Sequence, residues 1–210
     1  MAKGITRELL IETALAIVDR DGLDALSMRK LGAELGIDPM AAYRHLPNKD
    51  ALLDAVIDAV VAGTVTDVDE SLAWQGQMRQ LLGSYFAAVM AHPNALPLLP
   101  VRQLRTPASL RVVERALQIL VDAGSSLHEA VLAVNVAGLL TVGVALAASS
   151  APPPEDDDTP NPLDQLSADE FPLLLEVFRT ADGGTDFEDV LEFAIDALFG
   201  RIQVAEASQN

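Results

Sequence analysis

Apolar residues recur at three- and four-residue intervals along most of the chain, and no useful length alternates as a strand would. The spacing predicts a first helix over roughly Thr6–Arg20, with Leu9, Leu10, Ala14, Ile17 and Val18 as its apolar stripe and Gly22 as its stop. Ser27 is a natural cap for a second helix over Met28–Leu35, which Gly36 closes. Asp38 caps a third that starts at Pro39, where the missing N–H costs nothing, and runs to about Leu46 before Pro47 ends it. Asn48 caps a fourth, with Leu52, Leu53, Val56, Ile57 and Val60 facing inward. After a break at 63–70, helical patterning returns from Trp74 to His92, from Pro107 to Gly124 and from Ser126 to about Ala148, then near Ala168–Thr180 and Phe187–Val204. Between these lies a Pro- and acid-rich stretch at 151–162, which reads as a mobile surface loop.

Two short helices joined at Gly36 pose a particular question. Leu31, Leu35, Ile37, Ala42 and Leu46 can pack them together at a steep angle, and Gly36 suits a turn that needs positive φ. This is a helix-turn-helix, whose second helix offers its N-terminal residues to a DNA major groove. The exposed face of that helix is Pro39, Met40, Ala41, Tyr43, Arg44 and His45. The first three can touch thymine methyls, Tyr43 can donate to a phosphate, and Arg44 or His45 can reach phosphate or a base edge. Ser27, Arg29 and Lys30 open the preceding helix toward the same groove, and Arg29 can bridge a guanine. Lys49 sits at a helix start suited to phosphate. Tyr43 packed in the core and His45 capping a helix end are the structural alternatives.

Charge changes this picture less than it first suggests. The net charge is −17, yet residues 1–50 carry seven Lys/Arg against eight Asp/Glu, while the rest carries seven against twenty-three. Acid that far away is largely screened beyond ~10 Å at ~0.1 M salt. There is no Cys in 210 residues, which removes disulfides, thiol nucleophiles and thiolate metal sites. The first twenty residues are too interrupted by charge for a signal peptide. Residues 130–150 lack charge and are long enough to span a bilayer, but their Ala, Val and Gly content favours a helix buried on all sides in a soluble bundle.

Residues 6–60 resemble the DNA-binding domain of the tetracycline-repressor (TetR) family. The resemblance is carried by Gly22, the run Leu26-Ser27-Met28-Arg29-Lys30-Leu31, then Leu35-Gly36-Ile37, Tyr43-Arg44-His45, Asn48-Lys49 and Leu52-Leu53. "WQGQMRQLL", "HPNALPLL", the 116–146 stretch and "FEDVLEFAIDALFGRI" are similar to the C-terminal domain of repressors near the tetracycline repressor itself. The resemblance implies an all-α homodimer: an N-terminal three-helix helix-turn-helix DNA-binding domain (1–50), a connecting helix (51–66) and a C-terminal bundle for ligand binding and dimerisation (67–210). It implies a cytoplasmic repressor on an inverted-repeat operator in double-stranded DNA, released by a small-molecule inducer. By residue match, Arg29, Pro39, Met40, Ala41, Tyr43, His45 and Lys49 fall at DNA-contacting positions. Pro39, Met40 and Ala41 replace more polar types, so the operator need not match a relative's.

Tetracycline-binding members hold magnesium through a histidine. "NALPLLPVRQLRTP" has none, and His92 and His128 do not match. An apolar ligand without a cofactor is therefore expected, lined by some of Trp74, Met78, Leu82, Tyr85, Phe86, Met90, Leu99, Leu104, Leu117 and Phe178, residues that equally suit a bundle core. The resemblance places the dimer face on the helices near 127–147 and 187–204. Ala130, Ala133, Ala137, Gly138, Thr141 and Ala145 would allow close approach there, with Val134, Leu139, Val142, Leu191, Ile195 and Leu198 adding area. No nucleophile–base set supports an enzyme, and the acids at 186–189 read as a helix start. The remaining alternative, a ligand-binding helical protein without DNA contact, sits poorly with Arg29, Tyr43 and Lys49.

Overall fold

The computed structural model describes residues 5–150, 166–180 and 187–200, without the side chains at 178–180, 187 and 188. The acidic 151–162 stretch and Phe178 as a ligand contact therefore lie outside what is described. Among the described residues the chain is helical with no strand.

The head begins with α1 (Arg7–Asp21), capped by Thr6, whose Oγ1 accepts from the Leu9 N–H at 3.2 Å. Then come α2 (Met28–Leu35), α3 (Pro39–Tyr43) and α4 (Lys49–Ala62). Each is capped as the sequence predicts, by Ser27, Asp38 and Asn48. Leu10, Ala14, Ile17 and Val18 of α1 and all five predicted positions of α4 are buried. One boundary differs. α3 stops at Tyr43 rather than Leu46, and residues 44–46 form a tight turn in which the His45 and Leu46 N–H groups both donate to the Ala42 carbonyl at 3.0 Å. Pro47 has no N–H to continue the ladder and disfavours helix in the residue before it, so the unwinding begins early.

The body holds α5 (Trp74–Met90), a 3-10 run at Pro93–Val101, α6 (Pro107–Asp122), α7 (Leu127–Ser149), α8 (Pro172–Thr180) and α9 (Phe187–Phe199). α7 starts with a capping box in which Ser126 and Glu129 satisfy each other's backbone N–H groups. It packs against α5, α6, α9 and the 3-10 run. It is not buried on all sides as expected. By length and composition it could cross a membrane, but in this fold one side packs into the bundle while Leu132, Val136, Leu139 and Leu140 stay exposed. α9 closes the bundle through the Trp74–Phe199 edge contact at 5.3 Å and pairs of Arg79 with Glu192 and Asp196.

Head and body share one apolar core, and the 92–109 segment also ties them with polar bonds. Asn94 donates to the Val18 and Asp19 carbonyls that end α1, and His92 pairs with the Asp19 carboxylate at 2.9 Å. Asp50, Asp54 and Asp58 lie one turn apart along α4 and all receive donors from residues 102–109.

Candidate nucleic-acid interface and ligand cavity

The position of α3 follows from two glycines. Gly36 takes φ 64° at the end of α2, and the N–H groups of Gly36 and Ile37 return to the carbonyls of Ala33 and Gly32 at 3.2 and 2.9 Å. This is a Schellman closure, and the left-handed residue is one that lacks Cβ. Gly32 has a different task, which the sequence pattern did not reveal. A Cβ there would meet the Ile37 carbonyl oxygen at 3.0 Å and the Pro39 ring at 3.1 Å, so any larger residue would crowd the junction of α2 with the start of α3. A glycine inside an otherwise regular short helix was the available signal.

On this support most of the residues expected to contact DNA reach the surface. Met40 is 67% exposed and Tyr43 39%, which sets aside the core placement of Tyr43. Arg29, Arg44, His45 and Lys49 are exposed as well, while Pro39, Ala41, Ser27 and Lys30 are half-buried. Arg29, Arg44 and Lys49 form no ion pair among the described residues, and the His45 ring caps nothing there. Lys30 is the exception: its Nζ lies 3.6 Å from the Asp21 carboxylate. Two acids near this face, Asp21 and Glu34, are paired internally. Arg20 grips Asp21 and Glu34, and its hydrogen bonds hold both carboxyls below the usual range. Ser27 Oγ accepts from the Lys30 N–H at 3.1 Å, leaving its own hydroxyl proton to donate.

The body encloses a cavity of about 450 Å³ between α4, α5, α6, α7 and the 99–104 segment. Of the predicted ligand contacts, Met78, Leu82, Tyr85, Leu99, Leu104 and Leu117 line it. Trp74, Phe86 and Met90 do not: they pack against the core, Trp74 beside Phe199. The wall is apolar apart from Tyr85, Asn135 and Arg102. Burial pushes the Tyr85 hydroxyl up to about 12, so it stays a proton donor at neutral pH. No His, Asp or Glu is among the described lining residues, so the site does not fit a chelated magnesium ion. His92 is tied to Asp19, and His128 is exposed at the start of α7.

Most of the predicted dimer residues face the chain's own core or cavity, and Leu139 is the exception, 60% exposed on the outer side of α7. Ala130, Ala137, Thr141 and Ala145 are buried in the chain's own core, as are Leu191 and Ile195 of α9. Val134, Ala137 and Gly138 line the cavity, and Leu198 packs against the core. The small residues serve close packing within the subunit. The uncovered face is larger and more apolar: Val136, Leu139, Leu140, Gly143 and Ala147 form a shallow groove with Val190 of α9, beside an exposed Phe193.

Known proteins share this arrangement. Residues 10–56 match the family model of bacterial regulatory proteins of the tetR family, and residues 69–201 match the tetracyclin repressor-like C-terminal domain. The chain is 27% identical over 208 residues to the class D tetracycline repressor protein of Escherichia coli, covering 95% of this chain and 90% of that one. It is 30% identical over 142 residues to the transcriptional repressor DrrR1 of Streptomyces coeruleorubidus, covering 67% of this chain but about half (53%) of that relative. The crystal structure of ActR from Streptomyces coelicolor in complex with actinorhodin superposes with a TM-score of 0.82 at 27% identity, over 94% of this chain and 96% of ActR.

Proposed function

Because the chain belongs to the TetR family of bacterial regulators, we propose that its head and body act as one ligand-responsive transcriptional switch. It is a DNA-binding regulator, and its relatives include repressors. In this reading residues 1–50 are the DNA-reading head, 51–66 the connecting helix and 67–210 the ligand-binding and dimerising body. The first turn of α3, with Arg29, reads base edges, while Tyr43, Arg44 and Lys49 hold phosphates. Two copies meet through the uncovered α7–α9 face and present their α3 helices to an inverted repeat, ~34 Å or a small multiple apart. The protein works in the cytoplasm, where its operator is.

The line of three aspartates on α4 carries the reading. Asp58 is buried and accepts from the N–H groups of Arg105 and Thr106 at 2.9 and 3.2 Å and from the Ser109 hydroxyl. Asp54 pairs with Arg102 and Arg105, and Asp50 with Arg102. Leu104 and Arg102 of the strapped segment also line the cavity. An effector that moves this segment therefore pulls on α4, whose first residue, Lys49, borders the DNA face. ActR with actinorhodin illustrates a ligand-bound member of this fold.

The test is selection of bound sites from random DNA, followed by a screen for small molecules that release the selected site. An inverted-repeat consensus and at least one releasing compound are expected. No enrichment over random sequence would leave a ligand-binding protein without DNA function.

A further inference from the structure

Arg102 is the one charged side chain among the described residues lining the cavity, and its donors are half used. Nη1 donates to the Asp54 carboxylate at 2.7 Å and to the Asp50 carbonyl at 3.2 Å, and Nη2 donates to the Asp50 carboxylate at 2.9 Å. These bonds occupy the end of the guanidinium. Its side, formed by Nε–H and the second Nη2–H, has no acceptor among the described residues. The side chain is 19% exposed and Nε is not among the buried unpartnered atoms, so the two open donors are accessible to an anion. Such a fork matches two oxygens of one oxyanion, and the wall around it, with Met78, Leu82, Leu104 and Leu117, suits an apolar body.

Resting on the reading of the cavity as the effector site, we propose that its ligand is an organic anion, an apolar ring body whose carboxylate or sulfonate seats on the open side of Arg102. The same cation holds Asp50 and Asp54 of α4. A third anion on it competes with both, so ligand binding loosens the strap between cavity and head. Linkage is reciprocal: whatever weakens the two aspartates must strengthen the ligand.

Two fluorescent probes of nearly the same shape test this on the full-length protein: anilinonaphthalene sulfonate and the uncharged N-phenylnaphthylamine. The sulfonate should bind tighter by about tenfold or more. Arg102→Gln should abolish that preference, and Arg102→Lys should restore part of it. The combined Asp50→Asn, Asp54→Asn variant should bind the sulfonate about three- to tenfold tighter, since two competing charges are gone. This arm holds even if Arg102→Gln fails to fold. Equal affinity for both probes, a preference that survives in Arg102→Gln, or weaker sulfonate binding in the aspartate variant overturns the anion, and the cavity remains an effector site for neutral ligands. Binding of neither probe overturns both readings.

Discussion

Head and body are built by different means. In the head, single positions with special geometry decide the structure: the left-handed Gly36, the close approach at Gly32, Pro39 at a helix start and side-chain caps before every α-helix. In the body, shape comes from long helices filled with aliphatic residues, which leave open a cavity and an uncovered apolar face among the described residues. Rigid placement serves a surface that must fit a groove of fixed dimensions. Asp58 belongs to both regions, and its removal gives the largest expected effect. Asp58→Ala leaves the Arg105 and Thr106 N–H groups without their acceptor, while the Ser109 hydroxyl retains the Thr106 carbonyl, costing about 2–3 kcal/mol. Melting should fall by several degrees. A variant that melts like the parent would mean that the two regions are not joined there.

The next test concerns the body alone. Leu140→Arg places a charge on the uncovered face without touching the core, and should weaken dimer formation by about a hundredfold or more while helix content is kept. Ultracentrifugation across a concentration series reads it. An unchanged dimer would move the interface off this face.

The same contrast explains what could be read from the chain. The head's helices, caps and inward residues were legible because Ser27, Asp38, Pro39 and Asn48 leave local signatures. Its exceptions were local too: α3 ends three residues early at Tyr43, and Gly32 looked like an ordinary helical residue until its neighbours were in place. In the body, periodicity showed that α7 is apolar but not which side meets its own core. Ala130, Ala137 and Ala145 could have faced either a partner or the subunit, and only three-dimensional packing settled it. Six of ten ligand candidates line the cavity, because bulky residues on α5 and α6 point to both core and pocket. Arg102 was overlooked, although two facts were on view: a cation in the apolar 93–104 stretch, and acids at 50, 54 and 58 on one face of an otherwise apolar helix.

Within the head, Gly32→Ala should separate position from stability. Alanine favours helix by ~1 kcal/mol, but its Cβ must push on the Ile37 carbonyl and Pro39, which the Schellman bonds hold in place. Operator affinity should drop by about tenfold or more, since a displaced α3 loses its apolar contacts with base edges and misplaces Tyr43 and Arg44 on the phosphates. Probe binding in the body cavity should not change. Full operator affinity would show that α3 can yield and still fit the groove. Arg29→Ala should cost about 1–3 kcal/mol on the selected operator and relax preference at one base pair. An equal weakening on random DNA would count against base reading.

The smallest expected effect is the sharpest about role. Lys49 is exposed, has no ion pair among the described residues and begins α4, the helix bound by the aspartate line. If it meets a phosphate, Lys49→Ala removes one displaced counterion, and the slope of log affinity against log salt should flatten by about one unit on operator and random DNA alike. Preference among sequences should be untouched, because a phosphate carries no base identity. A flattened slope with intact preference would divide the head into a reading part on α3 and an anchoring part on α4. An unchanged slope would instead assign the start of α4 to the strap alone, with its cation playing no part in holding DNA.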